Sequence, residues 1–171
     1  VWVHQAWNMA YNISRQFPED RDRWPWVRRG LELLRDEGLR YNPNTPELYR
    51  ELAYQFQHKL GGNQDKAHYY YKMIWAAEMT EVFGGPRPDF DELINPPTDD
   101  AKRRAALLRE KFKLDPRRMK SVDAQYGPLE WRLPETHAIY WAAAGLEIAA
   151  KDESIGLRRV LYQSMDLAAR R

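Results

Sequence analysis

The side chains able to carry chemistry are four histidines, His4, His58, His68 and His137, and a run of carboxylates at Asp89, Asp91 and Glu92 followed by Asp99 and Asp100. A zinc helix of the HExxH type needs two histidines at i and i+4, so that both imidazoles leave one face toward one ion. No pair here has that spacing, and no metal site is expected. His58, His68 and His137 would meet only if the fold brought distant helices together. Paired carboxylates do acid–base work when space and burial set their proton affinities apart. Those in "RPDFDELINPPTDD" read instead as helix caps and solvated surface. The chain has no glycine-rich phosphate loop, no G-x-S-x-G elbow and no familiar Ser-His-Asp order; without cysteine it has no thiolate. No catalytic residue and no cofactor is expected.

The aromatic stretch "AHYYYKMIWAAEM", residues 67–79, is the other chemical candidate, because stacked rings beside cations can hold bases or a planar ligand. Helical spacing argues for packing. Ala67, Tyr71, Ile74 and Trp75 share one face, with Tyr70 beside it, while His68, Lys72 and Met79 fall on the opposite arc. Tyr69 stands at the far side of that arc, which leaves His68, Tyr69 and Lys72 as contacts open to a ligand. Glu78 and Glu81 continue the apolar stripe, where a carboxylate needs a partner, and arginines of a neighbouring helix are the expected ones.

The elements that must position these residues are helices. Residues 2–14 repeat apolar or small side chains at helical spacing, as Ala6, Met9, Ala10 and Ile13. Trp26, Gly30, Leu34 and Gly38 form a second stripe, with Pro25 suited to its first turn; two glycines in register imply close approach by a neighbouring helix. A third helix is expected from Thr45 and Pro46 to Gly61, and a fourth from Asn63 or Asp65 to Gly84. Further on, Thr98 or Asp99 and then Asp115 are placed to cap two more, the last of these stopping at Gly127, and Pro134 opens another.

The unit "GLRYNPNTPELYRELAYQFQHKLGGNQDKAHYYYKMIWA" resembles the tetratricopeptide repeat, a helix-turn-helix unit of about 34 residues. Tyr49, Leu52, Ala53 and Phe56 match the first helix of such a repeat, Ala67 and Tyr71 the second, and Pro43 the proline that closes the preceding unit. A weaker copy in residues 134–171 matches through Trp141, Ala142 and Gly156, with Val160 standing where the pattern has an aromatic. The chain as a whole resembles the middle of uncharacterised bacterial TPR-like proteins, which implies a longer parent chain and leaves room for an anchor outside this segment. The implied fold is all-α, a TPR-like α-solenoid of antiparallel helix pairs with a helical insertion. Its pairs are 1–42, 43–84 and 134–171, and the insertion is 85–133, in one domain.

The resemblance implies a non-catalytic scaffold that presents a groove, lined by the first helices, to a protein or peptide. Asn8, Asn12, Arg50, Tyr54 and Gln57 are its candidate contacts. A rival reading is an enzyme, or a small-molecule or metal-binding domain, with a pocket between insertion and repeats using His58, Glu78, His137 and the Asp89 to Glu92 loop. RNA binding is the third, and composition disfavours it. The 27 basic and 25 acidic side chains are interspersed and sum to +2, so the long-range field is weak. No apolar run approaches the ~18–20 residues that span a bilayer. The cell compartment is left open.

Overall fold

The computed structural model describes residues 1–171 and is all-helical, with 73% of residues in helix and no strand. The helix α1 (Trp2–Trp7) runs on through a wider π segment (Asn8–Ile13) and a 3-10 turn (Ser14–Gln16). α2 (Asp20–Glu32) likewise continues through a π segment (Leu33–Gly38) and a last turn (Leu39–Tyr41), and α3 (Pro46–Tyr54) through a π segment (Gln55–Leu60). α4 (His68–Phe83) follows, then α5 (Phe90–Ile94), α6 (Asp99–Glu110), α7 (Pro116–Tyr126), α8 (Pro134–Leu146) and α9 (Ser154–Ala169).

Local chemistry sets most of the ends. The Thr98 hydroxyl accepts the Ala101 N–H at 3.1 Å and the Asp115 carboxylate accepts the Arg117 N–H at 2.9 Å, capping α6 and α7. Asp89 caps the short α5 through the Glu92 N–H. Gly84 takes φ 71° to close α4, a conformation that favours glycine. Thr45 stands at the cap position of α3, but its side chain makes no capping bond. The start of α2 corrects the sequence reading. Asp20 and Asp22, favourable near the positive end of the helix dipole, open it before Pro25, which therefore lies inside the helix on an exposed position.

The core is organised around α8, which is buried from Pro134 to Ala142 and again at Ala144 and Gly145. A helix buried on every side must be covered on every side, and its polar side chains, Glu135, Thr136 and His137, must find partners within the protein. α3 and α9 lie directly against it, and Gly145 allows the approach: a Cβ there would stand 2.7 Å from Tyr49 Cβ and 2.8 Å from Leu157 Cδ2. One contiguous core includes Leu93, Leu108, Met119 and Trp131, so the 85–133 segment packs with the helices on either side of it.

Of the two glycines in α2, Gly30 is a point of close helix approach. A Cβ would fall 2.8 Å from the Ala6 carbonyl oxygen and 3.1 Å from Ala10 Cβ. Gly38 meets Trp2 and Leu48 at ordinary contact distances. Gly30→Ala is therefore expected to destabilise by about 1–3 kcal/mol, because overpacking against backbone outweighs the ~1 kcal/mol gain in helix propensity. Urea unfolding of the variant checks this; an increase in stability would show that α1 can move aside.

On α4 the buried stripe is Ala67, Tyr71, Trp75, Met79 and Val82. Its fourfold steps wind slowly around the helix, and this carries Met79 into the core instead of onto the exposed arc. The same drift leaves Glu78 at the flank, where it pairs with Arg28 of α2, and Glu81 reaches Arg103 of α6 at 3.9 Å. Tyr69 is 77% exposed.

Candidate functional site

Arg50 and Tyr54 stand one turn apart on α3 and face α9 across a hollow of about 280 Å³, whose other walls are Glu51, Gly156, Arg159, Val160 and Gln163. Gly156 makes room for Arg50, since a Cβ there would lie 2.9 Å from Arg50 Cδ. Tyr54 stacks on His58 with ring centroids 5.0 Å apart, the His58 Nδ1 lies 3.0 Å from the Tyr11 hydroxyl, and Tyr11 stacks on Trp7 at 4.8 Å. An aromatic ladder thus joins the hollow to α1. Burial lowers the His58 pKa and raises those of Glu51, Tyr54 and Tyr11, so the ladder favours neutral groups.

The remaining groove candidates are placed differently. Gln57 is buried, and its amide donates to the Val160 carbonyl and the Ser164 hydroxyl, both at 3.1 Å. It ties α3 to α9 and has no donor left for a ligand. Asn8 and Asn12 are bonded to each other at 3.0 Å in the π segment that continues α1, outside the walls of the hollow.

The residues of the rival pocket do not converge. His58 belongs to the aromatic ladder, Glu78 to Arg28, and His137 to the core, where Trp75 and Phe56 cover it. Asp89 caps α5, Asp91 meets Lys120 at 2.7 Å and Glu92 meets Arg104 at 3.0 Å. No three His, Asp or Glu side chains are grouped to hold a metal ion.

A second and larger hollow, about 610 Å³, lies between α4, residues 130–133, the start of α8 and the end of α9. Lys72, Met73, Ala76, Glu130, Arg132, Leu133, Pro134, Glu135, Ala168 and Arg171 line it. Glu135 is fully buried; its Oε1 accepts from Arg171 Nε at 3.0 Å and Nη2 at 2.8 Å, while Oε2 has no partner. Gly61 packs on this carboxylate, and its carbonyl takes a further bond from Arg171. The Lys72 ammonium donates to the Gly62 carbonyl and lies 2.9 Å from His68 Nδ1. Burial and the Arg171 charge pull its pKa down to about 8, against the pull of Glu135. Arg132 is held by Glu130 through two bonds. The spacing of "AHYYYK" already marks Lys72 as available. Glu135 reads from the sequence only as a helix start, and no local signal announces its burial.

Comparison with protein-family models, curated proteins and solved structures finds no match for this chain. What fold and site define is an all-helical protein whose surface hollows include two of different chemistry. None of its helices is long and apolar enough to cross a membrane.

Proposed function

We propose that the chain is a non-catalytic TPR-like scaffold, built of antiparallel helix pairs with a helical insertion, that binds an acidic peptide segment of a partner in the α3–α9 hollow. One observation carries the reading: two cations, Arg50 and Arg159, outnumber the one carboxylate, Glu51, around an open hollow between two helices that Tyr54 and Gln163 also border. Arginine and tyrosine are the side chains that anchor protein interfaces, and guanidinium groups recognise carboxylates in a planar, paired fashion. Support for the repeat comes from its own key positions. Leu52, Ala53, Phe56, Ala67 and Tyr71 are all buried in one core, where the tetratricopeptide pattern uses them for stacking, and Trp141 and Ala142 are buried likewise.

The test is a peptide-display selection on the chain, followed by fluorescence anisotropy with the selected peptides. Acidic sequences are expected, and the double variant Arg50→Glu with Tyr54→Ala is expected to weaken them at least about tenfold, or roughly 1.4 kcal/mol. Its helicity should match the parent, and its melting should fall only by the loss of the Tyr54–His58 stack, which the single variant Tyr54→Ala measures separately. Gln57 must be left intact, since its loss would loosen α9 and imitate a binding defect. Equal affinity in the double variant, or a selection that returns no acidic peptides, would remove the hollow as the binding surface.

A further inference from the structure

The larger hollow holds two open valences of opposite kind. Glu135 Oε2 is a buried carboxylate oxygen that receives no hydrogen bond, although the side chain is fully buried and lines the cavity. In the same cavity Lys72 carries an ammonium that bonds to the Gly62 carbonyl, lies against a ring nitrogen of His68 and stands 5.9 Å from the Tyr69 ring centre, with no carboxylate paired to it. The other two cations are already neutralised, Arg132 by Glu130 and Arg171 by Glu135. The rest of the wall is apolar: Met73, Ala76, Leu133, Pro134 and Ala168.

A ligand bearing only a positive charge would answer Glu135 but would face Lys72 unscreened. One bearing only a negative charge would satisfy Lys72 and leave the buried oxygen without a donor, next to a further anion. Water could donate to Glu135 but would leave the Lys72 ammonium without a counter-charge and the apolar wall wetted. We propose that the cavity binds a small zwitterion of the amino-acid type, its ammonium donating to Glu135 Oε2, its carboxylate accepting from Lys72, and its apolar side chain lying on Met73, Leu133 and Pro134. The Arg171 guanidinium on Oε1 holds the Glu135 carboxylate in place, so that Oε2 remains the receptor. The inference is independent of peptide binding, since the two hollows share no residue.

Isothermal titration calorimetry on the full chain tests it with four probes. L-leucine and L-methionine carry both charges, isoamylamine lacks the carboxylate, and 4-methylpentanoate lacks the amine. The amino acids are expected to bind, and each single-charge analogue to bind at least about tenfold more weakly, as the loss of a charge-assisted hydrogen bond requires. In Lys72→Met, leucine should fall to the affinity of isoamylamine. Ala76→Trp, at a half-buried position in the wall, should abolish binding of both amino acids while leaving the melting temperature near that of the parent. Glu135 itself is kept, because its removal would strand Arg171. No heat with either amino acid up to tens of millimolar, an amine that binds as tightly as leucine, or a Lys72→Met variant indistinguishable from the parent would each overturn the proposal.

Discussion

Replacing Asp65 by asparagine is expected to cost about 3–5 kcal/mol of folding stability, because it leaves two buried cations without their only carboxylate. The Asp65 Oδ1 meets Arg23 at 3.1 Å and accepts the Ala67 N–H at 2.9 Å, while Oδ2 meets Lys59 at 2.6 Å and the Tyr71 hydroxyl at 3.2 Å. The side chains of Arg23, Lys59 and Asp65 are 9%, 2% and 4% exposed, so water cannot take over the lost bonds. The cluster joins α2, the π segment of α3 and the turn into α4, and its loss loosens three elements at once. By contrast, breaking the exposed Lys120–Asp91 pair should cost no more than ~1 kcal/mol. Urea unfolding of both variants makes the comparison. A cost below about 1 kcal/mol for Asp65→Asn would mean that the cluster is hydrated in solution.

The same carboxylate gives the fold an acid limit. Burial alone would raise the Asp65 pKa, but the bonds from Lys59 and the Ala67 N–H, with the charges of Lys59 and Arg23, outweigh it and pull it down to about 2. Burial holds the Lys59 ammonium below its ordinary value even so. The direction for the cluster follows Asp65, on which four donors converge. An unfolded aspartate titrates near ~3.9, so the contribution is fully present above that value and is lost as pH falls through about 2.

How much of this was legible in the sequence follows from how local each cause is. The caps at Thr98 and Asp115 and the proline at the start of α8 depend on neighbours within three residues, and they are where the sequence places them. The ion pairs of Glu78 and Glu81 follow from an acid on an apolar stripe, which demands a cation whatever the partner's identity. Pro25 points to a later start of α2 than the helix has, because it is a strong local signal, while Asp20 and Asp22 are a weaker one that lies further upstream. Gln57 is the clearest case of information absent from its surroundings. It follows Tyr54 on α3 as a polar residue would in a groove, yet its partners lie more than 100 residues away, at Val160 and Ser164. Asp65 and Glu135 are of the same kind. Each looks like a residue at a helix start, and each is buried against an arginine 42 or 36 positions away.

His137 supplies the second large effect, a loss of about 3 kcal/mol as pH falls from roughly 6.5 to 4. Its Nε2 lies 2.8 Å from the Trp131 carbonyl oxygen, which can only accept, so Nε2 carries the proton and Nδ1 presents a lone pair with no partner. Protonating Nδ1 would place an unsatisfied cation among Phe56, Trp75 and Trp131, whose rings centre 5.5, 4.9 and 6.0 Å from the imidazole. Burial accordingly holds the pKa down to about 4, with the Trp131 bond acting weakly the other way. An unfolded histidine binds its proton near ~6.5. Between those values the unfolded chain takes up a proton that the folded chain refuses, so stability is fully present above about 6.5, falls through the window and levels off below about 4. His137→Gln keeps a donor for the Trp131 carbonyl and cannot titrate. Its stability at neutral pH should drop through lost ring packing, while its dependence on pH between 6.5 and 4 should flatten. Urea midpoints at four pH values, compared with the parent, measure the difference. An unchanged slope in the variant would move the acid sensitivity to His58 and His68, whose pKa values burial also lowers.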